Sequence, residues 1–273
     1  MQMSRQRLAD LFEVCRQEQR AALMPYMTVG LPSPDESVRL FVAMAEAGAD
    51  AFEIGIPYAD PLMDGPIIQA AGEQALAAGS GVDVGLDLLP RIVTETGKPC
   101  VVMTYVNPIL RMGIDVFADR VADAGASGVI VADLPVDESD AFRAELDRRN
   151  IGLVLFVAPT TTDQRLDRVV MADPPFIYGV AELGVTGERS TASSHIASLI
   201  ARVRNIGEVP VVAGVGISTA DQARAAARAA DGVIVGSALV RRVLDADSVE
   251  EAENLLRFAI RDLARAVRPH HTD

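Results

Sequence analysis

Eight short apolar runs, separated by stretches with helical signals, constrain the fold of this chain more than any other feature of its sequence. The runs are mostly apolar at every position rather than at alternate positions, which is typical of parallel strands buried on both faces. Pro25 conflicts with the first strand, because proline cannot donate a hydrogen bond to a central ladder. The predicted strands span residues 22–29, 51–57, 100–105, 128–134, 153–158, 176–181, 209–214 and 232–236.

The connections between these runs carry the start and stop signals of helices. One of them has a first-turn proline at Pro34, a capping-box glutamate at Glu36 and a terminating glycine at Gly48. Strands that alternate with helices, without a linker or a change of composition, predict an α/β protein with one (β/α)8 TIM barrel over residues 1–273. An extra amphipathic helix over about residues 5–16 is expected to cover the bottom of the barrel. A doubly wound open sheet is the alternative, but no Gly-x-Gly-x-x-Gly turn follows the first strand.

Composition narrows the partners and the compartment. With 38 acidic and 25 basic residues the chain has a formal charge of −13, which disfavours nucleic acid and anionic membrane surfaces as partners. Hydrophobic residues make up 49%, enough for a large core, yet no apolar run reaches the ~18 residues of a membrane helix. Cys15, Cys100 and three histidines supply neither a disulfide framework nor a metal site. No secretory signal is visible, and we expect a cytoplasmic protein.

The spacing of the strands predicts where the chemistry lies. Most strand starts are 22 to 34 residues apart, whereas strands two and three start at residues 51 and 100, which are 49 residues apart. The extra length is predicted to lie in 58–66, directly after strand two, and a second long connection, 184–194, follows strand six. Active sites of barrels are built on the face that carries such connections, so both are candidate lids.

Four carboxylates are candidates for acid–base chemistry. Glu53 lies inside an apolar strand, where burial raises the pKa of a carboxyl toward neutral pH, as a general acid or base requires. The alternative is a glutamate neutralised by an arginine, but no predicted strand contains Lys or Arg. Asp60 and Asp64 follow on the same face and could meet Glu53 over one pocket, although Asp before Pro or Gly is also ordinary turn chemistry. Asp133, at the end of strand four, has the same two interpretations.

Glycine-containing turns follow the last two strands. Gly216 lies in the turn after strand seven, and Gly236 and Ser237 follow strand eight and open a short helix over 238–244. Turns at these two positions, with the N-terminus of an extra helix, form the recurrent phosphate site of barrels. Neither motif contains Lys or Arg, so backbone N–H groups would hold the phosphate. The alternative is a pair of ordinary turns.

Two tyrosines lie at or near the upper ends of strands, Tyr105 after strand three and Tyr178 in strand six. Aromatic side chains at these positions could form the wall of a pocket for a planar substrate. Packing in the core of the barrel is an equally good interpretation of both residues.

A run of fifteen residues connects these candidates to a known family. Residues 52–66, FEIGIPYADPLMDGP, closely resemble the signature of the tryptophan synthase α subunit. The resemblance spans nearly the whole chain, supports the barrel, and accounts for Pro25, since the family has a proline there too. Shorter stretches agree in the family's order at 25–30, 103–108, 131–135, 184–187, 214–218 and 236–238.

The resemblance implies a retro-aldol cleavage of indole-3-glycerol phosphate to indole and glyceraldehyde 3-phosphate in L-tryptophan biosynthesis. It assigns Glu53 as the acid–base group that moves protons at indole C3 and at the side-chain hydroxyl, and Asp64 as the partner of the indole N–H. The same match places further residues near the substrate: Tyr105 and Tyr178 in the pocket, Thr186 positioning Asp64, and Gly187, Gly216, Gly236 and Ser237 at the phosphate.

The resemblance also implies a partner, a β subunit in an αββα assembly. Pro57, Asp60 and Asn107 are predicted to face that subunit, which would carry the pyridoxal phosphate; neither metal nor cofactor is expected on this chain. The sequence departs from the family at 181–183, where it has Ala-Glu-Leu and many members have Ser-Arg and a small residue. A glutamate in place of a basic lid residue could change loop closure.

Three other functions stay open at this point. A stand-alone indole-3-glycerol-phosphate lyase would release free indole without a β chain, and the departure in the sixth loop points that way. A catalytically idle activator of a β subunit would only bind the phosphate ligand, but intact Glu53 and Asp64 argue against it. An unrelated sugar-phosphate isomerase barrel would explain the phosphate turns but not the run over 52–66.

Overall fold

Eight parallel strands close into a barrel in the computed structural model, which describes residues 4–180, 189–214 and 216–268, with the backbone alone over 189–195. The strands are β1 (Ala22–Thr28), β2 (Phe52–Gly55), β3 (Cys100–Thr104), β4 (Gly128–Val131), β5 (Gly152–Val157), β6 (Ile177–Val180), β7 (Val211–Gly214) and β8 (Gly232–Val235). Each strand pairs with the next along the chain, and β8 pairs with β1 to close the ring. The predicted TIM barrel is confirmed.

Helices surround the strands. Within the described ranges they are α1 (Ser4–Gln17), α2 (Pro34–Ala47), α3 (Pro66–Ala77), α4 (Val82–Thr96), α5 (Val106–Met112), α6 (Ile114–Asp123), α7 (Asp140–Arg148), α8 (Asp163–Met171), α9 (Arg189–Arg204), α10 (Ala220–Ala227), α11 (Ser237–Leu244) and α12 (Val249–Ala266), with a 3-10 turn at Val136–Glu138. The predicted N-terminal helix and the short helix after strand eight are present as α1 and α11. None of these helices combines the length and the apolarity that a membrane crossing would need.

The N-terminal helix α1 covers the bottom of the barrel. Its apolar face buries Leu8 and Phe12, and the ring of Phe12 meets the edge of Phe176 with centroids 6.0 Å apart. Leu8 packs against the strand backbone at Gly128, where an added Cβ would lie 3.6 Å from the leucine. Burying each such side chain stabilises the fold by roughly 1.5–3 kcal/mol. The opposite end, at the carboxyl ends of the strands, remains available for a site.

Pro25 lies within β1 at the point where the pairing of that strand changes sides. β1 pairs with β8 over residues 22–25 and with β2 over residues 26–28. Pro25 is therefore the last residue of one ladder and precedes the first residue of the other. The missing N–H falls at the transition between the two ladders, which explains how a central strand accommodates a proline.

The long connection between β2 and β3 is mostly helical. The extra length expected in 58–66 is in fact an additional helix, α3, which begins at Pro66 directly after its cap, Gly65. Residues 78–81 separate α3 from α4, and Gly79 takes a positive φ of 87° in this break. The non-helical loop after β2 therefore spans residues 56–65, between the end of β2 and the start of α3.

Candidate active site

Glu53 is a buried carboxyl on the second strand of the barrel. It is 2% exposed, and its Oε2 has no hydrogen-bond partner among the described residues. Burial raises its pKa to about 8, and the negative charge of Asp64 adds to the increase. At neutral pH Glu53 therefore holds a proton that it can donate, which is the state that a general acid needs.

Asp64 lies in the loop after β2, and the upper end of the third strand holds its side chain. A turn closed by a 3.0 Å hydrogen bond from its own N–H to the carbonyl of Pro61 sets its backbone. The Tyr105 hydroxyl donates to the Asp64 carboxylate and accepts from the N–H of Met63 at 3.3 Å. Partial burial raises the pKa of Asp64, and the Tyr105 hydrogen bond opposes the increase. The two carboxyls lie near enough for the charge of Asp64 to raise the pKa of Glu53, and their environments are unequal.

Two more tyrosines complete this end of the barrel. Tyr178 in β6 is 8% exposed, and its ring centroid lies 4.9 Å from that of Phe156 in β5. Tyr26 in β1 is 7% exposed, and burial together with the charges of Asp64 and Glu53 raises its pKa. Burial and the charge of Glu53 raise the pKa of Tyr178 as well. The described part of the site therefore consists of acids and phenols that share one electrostatic environment.

Tyr26 is a site residue that the sequence reasoning missed. Pro25, which directly precedes it, is the more conspicuous residue of this strand. The direction in which the Tyr26 side chain points depends on the pairing of β1 with β2. Alternate residues of a strand point to the same face, so Tyr26 shares a face with Ala22 and Met24. This alternation is the signal by which Tyr26 could have been predicted to point into the barrel. Phe156 was missed for the same reason.

The predicted phosphate turns lie side by side. Val212 and Ala213 of β7 pair with Gly232 and Val233 of β8, so the turns that follow these two neighbouring strands begin next to each other. Gly216 has a positive φ of 78°, a left-handed conformation that favours glycine. Ser237 is exposed at the first position of α11. The two turns and the start of α11 therefore form one glycine-lined surface.

The helices after these two turns differ at their N-termini. α10 is capped by a full capping box, and the Gln222 side chain accepts from the N–H groups of Ser218 at 2.8 Å and Thr219 at 3.2 Å. α11 has Gly236 as its N-cap residue and therefore no side-chain cap. Since uncapped N–H groups and the helix dipole both favour an anion, α11 is the better anion-binding helix.

Other predicted residues lie around this site. Asp60 and Asn107 are exposed, and the Asn107 amide donates to the Tyr58 hydroxyl at 3.2 Å. Pro57 is buried in the isolated chain. Asp133 accepts from the N–H of Val106 at 2.8 Å, so its carboxyl binds the first N–H of α5 on the neighbouring connection.

Part of the sixth connection cannot be placed. Thr186 and Gly187, with the unusual residues 181–183, lie outside the described residues. Across the described ranges, no group of three or more His, Cys, Asp or Glu side chains is arranged to hold a metal ion.

Comparison with known proteins gives one consistent result. The family model for the tryptophan synthase alpha chain matches residues 12–268. The tryptophan synthase alpha chain of Mycobacterium marinum is 41% identical over 266 residues, covering 97% of this chain and 96% of that protein. A structure of Mycobacterium tuberculosis tryptophan synthase is 39% identical with a TM-score of 0.86, covering 97% of this chain and 99% of the matched chain. The Legionella pneumophila alpha subunit superposes with a TM-score of 0.87 at 29% identity, covering 96% and 98% of the two chains.

Proposed function

This chain belongs to the tryptophan synthase alpha chain family, and from that premise we propose how its residues perform the family reaction. The reaction is the retro-aldol cleavage of indole-3-glycerol phosphate to indole and glyceraldehyde 3-phosphate, which makes the chain a carbon–carbon lyase of tryptophan biosynthesis. One observation supports our assignment of the chemistry above the others: the Glu53 carboxyl is buried, has an oxygen without a partner, and has a pKa raised to about 8.

We assign Glu53 as the acid that begins the cleavage. Its carboxyl gives a proton to C3 of the indole ring, and the carboxylate that remains takes the proton of the side-chain hydroxyl. The carbon–carbon bond then breaks, the aldehyde carbonyl forms, and the bonding electrons return to the ring. One group therefore moves both protons, and a pKa near 8 keeps its protonated and ionised forms accessible close to neutral pH.

We assign Asp64 as the carboxylate at the indole N–H. Protonation at C3 leaves positive charge on the ring nitrogen, and a fixed carboxylate at that place stabilises it. Asp64 suits this role because it is only partly buried and has the Tyr105 hydroxyl as a donor, whereas Glu53 is fully buried and its Oε2 has no partner among the described residues. Two carboxyls in unequal environments divide into a proton donor and an anion.

The two ends of the substrate would be bound by different means. The indole ring would pack against Tyr178 and Phe156, whose rings already contact each other. The phosphate would accept hydrogen bonds from the backbone at Gly216 and Gly236 and from Ser237 at the uncapped start of α11. By resemblance to the family, Thr186 would position Asp64 and Gly187 would contribute to the phosphate site.

We propose a tryptophan synthase β subunit as the partner, in an αββα assembly. Leu62 and Met63 in the loop after β2 are 77% and 67% exposed, and Leu110 on α5 is 58% exposed. Together with Asp60 and Asn107, both exposed, they form an apolar surface with polar groups next to the site. The pyridoxal phosphate would belong to the β subunit.

Contact with the partner at this surface can reach the acid–base groups through one residue. Met63 is exposed, and its N–H bonds the same Tyr105 hydroxyl that holds Asp64. A β subunit that fixes Met63 would therefore fix Asp64 as well, which is a physical route for stimulation by the partner.

We also propose that residues 1–273 form one barrel domain that works in the cytoplasm. The support is that β8 pairs with β1, and that Arg39 of α2 bonds Glu253 of α12 at 2.8 Å, so both halves of the chain share one structure. A single calorimetric transition whose enthalpy equals the van't Hoff enthalpy is expected. Two separate transitions would contradict the single domain.

The function is tested by indole release from indole-3-glycerol phosphate, measured with the purified chain alone and with a tryptophan synthase β subunit. We expect slow release by the chain alone and a strong increase with the β subunit. Fast release that the β subunit does not change would instead support the stand-alone lyase. No release in either case would overturn our assignment of the chemistry and favour the idle activator.

A further inference from the structure

Tyr26 lies beside Glu53, on the neighbouring strand of the barrel. The two residues are register partners on β1 and β2, so their side chains lie next to each other on one face. A Cβ added to Gly55 would be 2.1 Å from the Tyr26 hydroxyl, and one added to Gly236 would be 3.4 Å from the Tyr26 Cβ. The ring therefore extends inside the barrel over Gly55, one step nearer the mouth than the backbone of Glu53.

A second hydroxyl holds the phenol in this place. The oxygens of Tyr26 and Thr28 are 3.3 Å apart, and both side chains are buried. Thr28 is the register partner of Gly55, so the threonine hydroxyl lies at the level of the barrel where the phenol ends. Burial and the neighbouring carboxyls keep the phenol protonated, which leaves it a hydrogen-bond donor at every working pH.

The groups around Glu53 explain why its carboxylate needs a hydrogen-bond donor. The groups that act on its environment are Asp64 from the loop, Tyr26 from β1 and Tyr178 from β6, and Tyr105 at the end of β3 holds Asp64. All of them are acids, and none is a cation. When Glu53 loses its proton during the reaction, the new carboxylate is buried beside a second carboxylate. Among the described residues that act on Glu53, a neutral hydroxyl is the donor available to stabilise it there.

We propose that Tyr26 is a positioning residue for Glu53: its hydroxyl, held by Thr28, donates to the Glu53 carboxylate that forms after C3 has been protonated. This inference rests on the proposed role of Glu53. The Tyr26 proton is not transferred. Glu53 gives its proton to C3, the phenol hydrogen-bonds the carboxylate and keeps it aimed at the side-chain hydroxyl, and Glu53 then takes the hydroxyl proton as the carbon–carbon bond breaks.

The variant Tyr26→Phe tests the proposal in the full chain, because it keeps the ring and removes only the hydroxyl. A hydrogen bond to a charged group is worth about a tenfold change, so we expect kcat to fall about tenfold with little change in KM. Loss of a donor to the carboxylate raises the pKa of Glu53, so the alkaline limb of the pH–rate profile should move up by about one pH unit. A residue that only packs would leave that limb in place.

The pair Thr28→Val and Thr28→Ser supplies a second test that does not alter the tyrosine. Valine removes the hydroxyl that holds the phenol and should move kcat and the alkaline limb in the same directions. Serine keeps the hydroxyl and should restore both to nearly the values of the unmodified chain. If Tyr26→Phe does not fold, this pair decides the question by the same two measurements.

The outcomes separate this inference from the function on which it rests. Normal kcat and an unmoved alkaline limb in Tyr26→Phe would overturn the role of Tyr26, and so would a change in KM alone. Neither result would touch Glu53, whose role is measured in parallel with Glu53→Gln. A Glu53→Gln chain that retains most of its indole release would remove the proposed function and this inference with it.

Discussion

The two sides of the barrel mouth are built from different parts of the chain. In our assignment, the chemistry on the side of β1 to β3 depends on side chains, namely Glu53 and Asp64 with the phenols around them. On the side of β7 and β8, the proposed phosphate site depends on the main chain at Gly216, Gly236 and the uncapped start of α11. We infer that this division is what allows a chain with a formal charge of −13 to bind an anionic substrate beside two carboxyls. The acids are kept on one side, and the anion is held on the other by N–H dipoles.

The largest expected effect is on the acid side. Glu53→Gln keeps the shape of the side chain and removes its proton chemistry, so indole release should fall by roughly 10²–10⁴-fold, the usual contribution of a general acid or base. Steady-state release from indole-3-glycerol phosphate measures it, with circular dichroism to establish that the barrel is intact. If the variant turned over at near-normal rate, the acid side would not depend on this carboxyl.

The second effect tests the partner carboxyl. Asp64→Asn removes the charge that stabilises the ring nitrogen, so kcat should fall by roughly 10²-fold, as for the loss of one electrostatic contact in a transition state. Tyr105→Phe, which leaves Asp64 charged and removes its donor, should have a smaller effect in the same direction. Equal losses of kcat in the two variants would contradict our assignment, in which the Asp64 charge stabilises the ring nitrogen and the Tyr105 hydroxyl only positions Asp64.

The third prediction concerns the main-chain side. Ser237→Asp places a negative charge at the first turn of α11, where it favours the helix but repels phosphate, so KM should rise by roughly tenfold with kcat nearly unchanged. Thr219→Asp is the matched control, because it makes the same change in charge at the N-terminus of α10, where a capping box between Thr219 and Gln222 already satisfies N–H groups. If both variants raised KM equally, the effect would be one of general charge, and the comparison between the two helices would fail.

The last effect is on stability, and it concerns only the side of β1 to β3. The pKa of Glu53 is raised from 4.5 to about 8 by folding, so its contribution to stability is fully present below pH 4.5 and is lost as the pH rises toward 8. Glu53→Gln has no such loss, so its Tm should exceed that of the unmodified chain by an amount that grows from pH 5 to pH 8. Thermal melts across this range measure it. A constant difference would mean that the carboxyl is not buried in its neutral form.

Most of the architecture follows from local patterns. The apolar runs gave the strands, and α1 and α11 lie within one or two residues of their predicted positions. We did not predict the extra helix α3, because only four residues, 78–81, separate it from α4. The glycines of this break are compatible with a loop as well as with a boundary between two helices. Helix boundaries inside a long connection depend on packing that the sequence does not show.

The two sides of the mouth differ in how much of them the sequence reveals. The side of β7 and β8 can be predicted from the sequence because the groups proposed to act there are backbone N–H groups. Their positions follow from a glycine and a helix start, which the sequence shows directly. On the acid side, Glu53 stands out as a carboxylate in an apolar run, but the contacts that tune it come from distant parts of the chain. The Tyr105 bond to Asp64 joins residues 41 apart, and the approach of Tyr26 to Gly55 needs the register of two strands.

The fit of each tyrosine against a glycine has a consequence for how this site can evolve. Added Cβ atoms at Gly55 and Gly214 would lie 2.1 Å from the Tyr26 hydroxyl and 2.3 Å from the Tyr178 hydroxyl. Either glycine can therefore acquire a side chain only if its tyrosine ring shifts or has already become smaller, whereas sterics place no such condition on a smaller residue at the tyrosine position. Sterics thus favour one order of the two steps. A library that varies one position at a time would select against alanine at both glycines and would under-sample the pockets that the double replacements form.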